Sequence, residues 1–246
     1  MKTTAIPRFF LLSLLLFLSL FLLTNIRYHR RPPPPVPQGG GQEDHLGSTQ
    51  DLRIRPGYSS YDAYIRRQLD KTLNPKLRKI WTTRDWDRKI SVFSKHFQKL
   101  QAENLLKNSS KSLCIGARVG QEVEALRRVG VSESVGIDLV PYPPLVLKGD
   151  FHDQPFKNET FDFEFSNVFD HALYPEKFVG EIERTLKRGG VCVLHVTLSR
   201  RPDKYSANDL YSVTPLKDLF RRSELVRVRK VDAFGLDTEV IFRKKR

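Results

Sequence analysis

The chain has 246 residues, of which 39% are hydrophobic, and a formal net charge of +14. This length and composition provide one domain with a core plus further segments, and they exclude wholesale disorder, a collagen-like repeat and a polytopic membrane protein. The basic surplus lies outside residues 111–242, which carry 19 Lys and Arg against 20 Asp and Glu. Because nucleic acids select basic surfaces, we expect no nucleic-acid partner for this part of the chain.

A charge-free, apolar segment at residues 9–26 follows a short basic tail, residues 1–8. As a helix, this segment would extend about 27 Å, which is close to the thickness of the hydrocarbon core of a bilayer. The sequence after Leu23 lacks the small-residue pattern that a signal peptidase requires. An uncleaved transmembrane anchor is therefore favoured over a cleaved signal peptide, and basic residues on both flanks leave its orientation open.

Residues 27–57 are rich in proline and glycine and poor in apolar side chains. Such a composition buries too little surface to offset chain entropy, which predicts a stem. The order of tail, anchor, stem and soluble domain resembles type II enzymes of the Golgi and endoplasmic reticulum, and implies a single-pass membrane protein of the secretory pathway. N-glycosylation acceptor sequences begin at Asn108 and Asn158 and are compatible with a lumenal domain.

Residues 58–110 mix charged and apolar side chains at helical spacing, with Ile90, Phe93 and Phe97 on one face. We expect a helical preface that packs on the domain behind it. The preface also contains large aromatic residues that either pack in the core, which is the favoured interpretation, or form a lid over a substrate. They are Tyr58, Tyr61, Tyr64, Trp81 and Trp86.

Residues 111–246 alternate apolar runs with segments of helical periodicity. The runs predict strands, the periodic segments predict helices, and the last two runs are so close in sequence that they must pair antiparallel. The pattern indicates an α/β fold, a Rossmann-like doubly wound sheet that is mostly parallel with an antiparallel C-terminal hairpin, preceded by helices and an N-terminal transmembrane helix. The predicted strands are residues 112–116, 135–139, 145–147, 161–165, 191–196, 225–231 and 238–242, and the predicted helices are residues 121–129, 178–187 and 216–222.

A turn with two glycines follows the first predicted strand of this domain. Gly116 and Gly120 let the backbone bend sharply and approach a ligand closely. Asp138 lies at the end of the second strand, 22 residues beyond Gly116. A carboxylate at this position can accept hydrogen bonds from both hydroxyls of a ribose.

Three further segments complete the pattern. Residues 149–156 begin Gly-Asp-Phe, residues 160–167 form an apolar run ending in Ser-Asn, and residues 186–194 carry two glycines before an apolar strand. In this order the segments resemble class I, S-adenosylmethionine-dependent methyltransferases of type 11. The resemblance includes plant membrane-anchored members with the segments Gly-Gln-Glu-Val, here residues 120–123, and Ser-Asn-Val-Phe-Asp-His, here residues 166–171.

The resemblance implies S-adenosylmethionine as the cofactor and a role for each matching residue. Asp138 would bind the ribose, Asp150 would meet the amino group of the adenine, and Phe151 would cover the adenine ring. The remaining cofactor-binding positions that the resemblance implies are Cys114, Gly116 and Gly120, at the methionine end, and Asn167.

Two histidines lie near the carboxyl ends of the predicted strands. His171 is the candidate base, which is needed only if the methyl acceptor holds a proton. His195 lies in an apolar run and is favoured as a core residue. Neither has a Cys or His partner at metal-ligand spacing, so no metal site is predicted.

The favoured function is that of a membrane-anchored methyltransferase acting on a glycan, a lipid or a small molecule, with residues 9–26 in the membrane. The family usually has an acid at the position of Cys114 and a glycine at that of Arg118, so a catalytically silent binding or scaffold protein is the alternative. A nicotinamide-dependent oxidoreductase would share the glycine turn and the following acid. Tyr174 and Lys177 are, however, one residue too close for the Tyr-x-x-x-Lys pair of short-chain dehydrogenases.

Overall fold

The computed structural model describes residues 51–200 and 202–246. The predicted tail and anchor, residues 1–8 and 9–26, lie outside the described residues, as do residues 27–50 of the predicted stem. None of the helices in the described ranges combines the length and the apolar character needed to cross a membrane.

A sheet of seven strands forms the centre of the described part of the chain. The strands of this part are β1 (Leu52–Ile54), β2 (Ser112–Ile115), β3 (Ser134–Asp138), β4 (Val146–Lys148), β5 (Phe161–Ser166), β6 (Leu186–Val196), β7 (Asn208–Leu210), β8 (Ser223–Lys230) and β9 (Thr238–Lys244). The order in the large sheet is β4-β3-β2-β5-β6-β9-β8. The first five of these run parallel, and β9 pairs antiparallel with both β6 and β8. The predicted fold class, including the antiparallel C-terminal hairpin, is confirmed.

Helices cover both faces of this sheet. They are α1 (Tyr61–Thr72), α2 (Pro75–Thr82), α3 (Trp86–Ala102), α4 (Gln121–Arg128), α5 (Pro175–Thr185) and α6 (Thr214–Leu219). Side chains of β2 alternate between the faces: Cys114 joins an apolar cluster with α3 and α4, whereas Leu113 and Ile115 join a cluster with α5 and α6. Burial on both faces explains why the strands are continuous apolar runs in the sequence.

The preface consists of helices, as predicted, and its longest helix packs on the sheet. Ile90, Phe93 and Phe97 of α3 are each at most 1% exposed, and they share a cluster with Phe165 of β5. The rings of Phe97 and Phe165 meet edge to face at 5.3 Å between centroids. The apolar stripe of the preface therefore forms part of the domain core.

The folded part begins earlier than the composition indicates. Strand β1 lies within the segment expected to be a stem, and it pairs antiparallel with β7. Arg55, directly after β1, makes an ion pair of 2.6 Å with Asp209 of β7. A strand of three residues has no periodicity of its own, so its formation depends on this distant partner and is not visible in the local sequence.

The fifth helix ends earlier than its periodicity indicates. The pattern predicts a helix as far as Lys187, but α5 ends at Thr185 and β6 begins at Leu186. Leu186 pairs with Phe161 of β5 and is fully buried. Pairing with the neighbouring strand overrides the helical pattern here, because burial in the sheet stabilises the extended conformation.

Candidate active site

A cleft of about 520 Å³ opens above the carboxyl ends of β2 and β3, and it collects most of the predicted site residues. One wall consists of residues from the sheet and its loops, and the other wall is helix α1 of the preface. The predicted site residues that line the cleft are Gly116, Asp138, Asp150, Phe151 and His171; from α1 come Tyr64, Ile65, Gln68, Lys71 and Thr72.

The glycine turn after β2 has a backbone that other residues would strain. Gly116 has a φ of +71°, and a Cβ at this position would lie 2.3 Å from Cγ2 of Val168. Gly120 has a φ of +88° and precedes α4, where a Cβ would lie 2.6 Å from Cβ of Leu145. The turn therefore brings bare backbone to the cleft at Gly116, as a cradle for a bound cofactor requires.

Asp138 is placed at the floor of the cleft by the end of β3. Its Oδ2 accepts a hydrogen bond of 2.9 Å from the backbone N–H of Arg118, and its Oδ1 accepts one of 3.3 Å from that of Val140. Burial raises the pKa of Asp138, and these two hydrogen bonds oppose the rise. The carboxylate is thus oriented by the turn that follows β2 and can accept further hydrogen bonds from vicinal hydroxyls.

Asp150 is already engaged by neighbours at the edge of the cleft. Its Oδ2 accepts a hydrogen bond from the hydroxyl of Tyr61, and its Oδ1 accepts one of 2.9 Å from the backbone N–H of His152. Burial alone would raise the pKa of Asp150, but the hydrogen bonds and charge of His152, with the hydrogen bond from Tyr61, hold it below its usual value. An adenine amino group would therefore share this carboxylate with Tyr61.

The aromatic residues of the preface serve both burial and the cleft wall. Tyr64 is 1% exposed, lines the cleft, and donates a hydrogen bond of 2.9 Å to the carbonyl oxygen of His171. Tyr61 stacks on Tyr174 at 5.6 Å between ring centroids. The favoured interpretation, core packing, holds for Tyr64, and the same side chain also faces the candidate site.

His171 is held on both ring nitrogens. Its Nδ1 lies 3.0 Å from Oε1 of Gln68 and 3.1 Å from the carbonyl oxygen of Tyr205, and both of these atoms are acceptors. Its Nε2 lies 3.1 Å from Nζ of Lys71. This network assigns the proton to Nδ1, and it directs the lone pair of Nε2 to the ammonium of Lys71. His171 therefore positions Lys71 and α1, and it could act as a base only if Lys71 moved away.

The other predicted cofactor residues lie around the cleft. The thiol of Cys114 is 1% exposed and packs into the core on the α3 side of the sheet, so it points away from the cleft. Gly120 lies at the start of α4. Asn167 donates a hydrogen bond of 3.0 Å to Oε1 of Glu122 and lines a second cavity.

This second cavity, of about 460 Å³, adjoins the first. Both cavities are lined by Lys71, Arg118, Val168 and His171, so they meet at these side chains. Lys89 of α3 also lines the second cavity, and the sequence motifs do not include it. Its signal is its position four residues before Phe93, which puts a lysine on the buried face of an amphipathic helix.

The part of the chain that builds the sheet side of the cleft matches a known protein family. Residues 113–194 match the family described as a methyltransferase domain. This match covers the strands β2 to β5, most of β6 and the residues that line the cleft from the sheet side. Over these residues, about a third of the chain, the sequence is thus similar to that of a methyltransferase domain.

Solved methyltransferases share the fold of this chain at low sequence identity. The 1,6-didemethyltoxoflavin-N1-methyltransferase of Burkholderia thailandensis, solved with 1,6-didemethyltoxoflavin and S-adenosylhomocysteine, is 15% identical with a TM-score of 0.59, over 79% of this chain and 95% of that one. A structure of the Haloferax volcanii Trm112 methyltransferase activator in complex with a methyltransferase gives 17% identity and a TM-score of 0.53, over 68% of this chain and 96% of that one.

A curated relative matches only part of the chain. An uncharacterized protein of Methanocaldococcus jannaschii is 37% identical over 67 residues, which are 27% of this chain and 29% of the relative. The chain thus spans less than a third of the length of that relative.

A group of two histidines and a glutamate lies away from the cleft. The Nε2 atoms of His96 and His195 lie 3.3 Å and 3.5 Å from Oε2 of Glu239, and the three side chains could hold a metal ion. Burial lowers the pKa of His96 to about 3, so its ring is neutral. Arg229 binds both carboxylate oxygens of Glu239, however, and its positive charge opposes a cation at this place.

Proposed function

We propose that this protein is an S-adenosylmethionine-dependent methyltransferase that is anchored in a membrane of the secretory pathway by residues 9–26 and transfers a methyl group to a glycan, a lipid or a small molecule. One observation supports the proposed cofactor site. Gly116, Asp138 and Phe151 all line one cleft at the carboxyl ends of parallel strands. In open α/β sheets this end is where ligands bind. The apolar, charge-free sequence of residues 9–26 supports the anchor.

The residues of the cleft fit the parts of S-adenosylmethionine. The backbone at Gly116 receives the methionine part, Asp138 accepts hydrogen bonds from the ribose, and Phe151 covers the adenine ring. Phe151 is fixed for this role by an edge-to-face contact with Phe178 at 5.2 Å between centroids. When bound, the cofactor supplies a methyl group made electrophilic by a sulfonium.

The protein contributes to the transfer by positioning. An in-line displacement depends on the alignment of nucleophile and methyl carbon, and α1 closes one side of the cleft to fix this alignment. His171 and Lys71 hold α1 against the sheet-side loops. Since the lone pair of His171 Nε2 is taken by Lys71, we infer that the acceptor does not depend on His171 to remove a proton.

Calorimetric titration of the full-length protein in non-ionic detergent tests the cofactor site. We expect S-adenosylmethionine and S-adenosylhomocysteine to bind, and Asp138→Ala to weaken both by about 10- to 100-fold, because hydrogen bonds to a charged group contribute about 1.5–3 kcal/mol. Asp232→Ala is the matched control, since Asp232 is exposed in the loop before β9. Wild-type affinity in Asp138→Ala would show that the ribose contact is wrong.

The same titration separates the proposed function from its alternatives. The presence of Arg118 near Gly116, in place of the family's usual glycine, favours a silent scaffold as the second candidate. A folded protein that binds neither S-adenosylmethionine nor S-adenosylhomocysteine would support the scaffold. Binding of NADH instead would support the oxidoreductase.

A further inference from the structure

Lys89 carries a buried charge that makes no direct ion pair in the described part of the chain, and the carboxylates of Glu122 and Asp85 act on it only from a distance. Its residue is 7% exposed, and it lies on the face of α3 that also carries Phe93. Its Nζ lies 4.9 Å from the ring centroid of Phe234, and it makes no hydrogen bond or ion pair with any described residue. An ammonium in such a place is costly unless a partner of opposite charge is supplied.

The ammonium faces a space in which a partner can bind. Lys89 lines the second cavity, together with Lys71 and Arg118. Lys71 is paired with Asp203 at 2.8 Å, and Arg118 lies 3.7 Å from Glu122. Among the three basic side chains of Lys71, Lys89 and Arg118 that line this cavity, Lys89 is thus the one with no carboxylate of the described residues within ion-pair distance.

The charge of Lys89 persists at neutral pH. Burial, together with the nearby charge of Arg118, lowers the pKa of Lys89 to about 8. At pH 7 the side chain is still largely protonated, since the pH lies below this value. Lys89 thus presents a cation, rather than a free amine, to the cavity.

The wall of the cavity beside Lys89 is apolar. It is formed by Ala233, Phe234 and Leu236, in the connection between β8 and β9. An apolar wall combined with a few charged groups is typical of sites that bind small organic molecules. A ligand for this cavity would combine one anionic group with an apolar or aromatic body.

We propose that this second cavity is the acceptor pocket and that the acceptor is a small organic anion, with a carboxylate or phosphate group that pairs with Lys89 and an apolar body that lies against Phe234. This inference rests on the proposed function, because it places the cofactor in the first cavity, with Gly116 and Asp138. The two cavities share Lys71, Arg118, Val168 and His171 as lining residues, so the proposed acceptor would lie next to the cofactor.

Calorimetry on the full-length protein saturated with S-adenosylhomocysteine tests the inference with three probes of similar shape: benzoate, phenyl phosphate and the neutral benzamide. We expect at least one anion to bind at least 10-fold more tightly than benzamide, and the preferred anion identifies the acidic group. In Lys89→Met, which keeps the length of the side chain, this anion should lose at least 10-fold in affinity. Lys95→Met is the matched control, because Lys95 is exposed on the same helix.

The outcomes that overturn the inference are distinct from failure of the proposed function. Binding of neither anion, equal binding of benzamide, or an unchanged anion affinity in Lys89→Met would each overturn it. A loss of S-adenosylhomocysteine affinity in Lys89→Met, with anion binding unchanged, would assign Lys89 to the carboxylate of the cofactor and also overturn it. If the wild type does not bind S-adenosylhomocysteine, the proposed function itself fails, and the acceptor assignment fails with it.

Discussion

At the scale of single residues, the glycine turn after β2 depends on the absence of a side chain. Sequence spacing identifies Gly116, and the structure gives the reason for its identity, which is the side chain of Val168 directly opposite. Lys89 is a residue that sequence analysis misses. The apolar pattern that identifies the buried face of α3 includes Ile90 and Phe93, but it does not include a lysine on the same face. Its spacing from Phe93 puts the lysine on the buried face of the helix, and only the structure shows the cavity that its ammonium faces.

Replacement of Gly116 tests the turn. Gly116→Ala should destabilise the protein by about 1–3 kcal/mol, because the new Cβ meets Val168 and because alanine disfavours a positive φ. Thermal unfolding of the full-length protein in detergent measures the effect. Gly180→Ala is the matched control: Gly180 lies in α5 with no atom within 4 Å of an added Cβ, so this variant should be stabilised by about 0.5–1 kcal/mol. A neutral Gly116→Ala would contradict the argument.

At the scale of elements, local signals predict the strands and helices that carry their own pattern. Helix α4 follows a glycine turn and begins at the expected residue, Gln121, while β3 ends at Asp138. Elements that depend on a distant partner are missed or shifted, namely β1 in the predicted stem and the start of β6 at Leu186. Their conformations are determined by strand pairing, which a window of neighbouring residues does not contain.

One carboxylate inside strand β5 makes stability depend on pH. Glu164 is fully buried, and its Oε1 accepts a hydrogen bond of 2.8 Å from Thr185, whereas its Oε2 has no hydrogen-bond partner among the described residues. Burial raises the pKa of Glu164 to about 8, and the hydrogen bond from Thr185 opposes the rise. The folded protein therefore retains a proton that the unfolded chain, in which the carboxyl has its ordinary pKa of 4.5, releases at lower pH.

The difference between the pKa of Glu164 in the folded protein and in the unfolded chain determines whether stability rises or falls with pH. Between about pH 4.5 and pH 8 the folded state binds one more proton, so the free energy of unfolding should fall by about 1.4 kcal/mol per pH unit as the pH rises. Glu164→Gln should remove this contribution and gain stability relative to wild type from pH 5 to pH 8, as measured by thermal unfolding at both pH values. Glu224→Gln, at an exposed position of β8, is the matched control, and it should change the unfolding temperature by the same amount at pH 5 and at pH 8. A parallel response of wild type and Glu164→Gln would contradict the prediction.

At the scale of the whole molecule, the sequence contains a predicted membrane part, residues 9–26, and a domain that carries the cleft, from residue 51 onwards. The fold of this domain could be predicted because several weak motifs follow one another in the order that is typical of the methyltransferase family. The same motifs indicate the cofactor. The acceptor could not be predicted, because its proposed pocket combines Lys89 from the preface with Phe234 from the C-terminal hairpin. These residues are far apart in the chain and belong to no common motif.

The membrane part makes a prediction for the intact protein in cells. With residues 9–26 as an anchor, the full-length protein should stay in the membrane pellet after alkaline carbonate extraction, and a variant lacking these residues should not. If the domain is lumenal, N-glycosidase should lower its apparent mass, since Asn108 and Asn158 are both exposed. Replacing both by Gln should abolish the mass shift, and replacing Asn104, which has no acceptor sequence, should not. Release of the full-length protein by carbonate would contradict the anchor.

The pairing of β1 with β7 has a consequence for the order of folding. Arg55 and Asp209 are 154 residues apart in the chain. Strand β1, the first strand of the described residues, can therefore pair with β7 only after most of the domain has been synthesised. Helix α1, which follows β1 directly, forms one wall of the cofactor cleft. The segment that leads into α1 is thus fixed only after β7 has been made, and β9, which supplies Val240 and Ile241 to the core, is made later still.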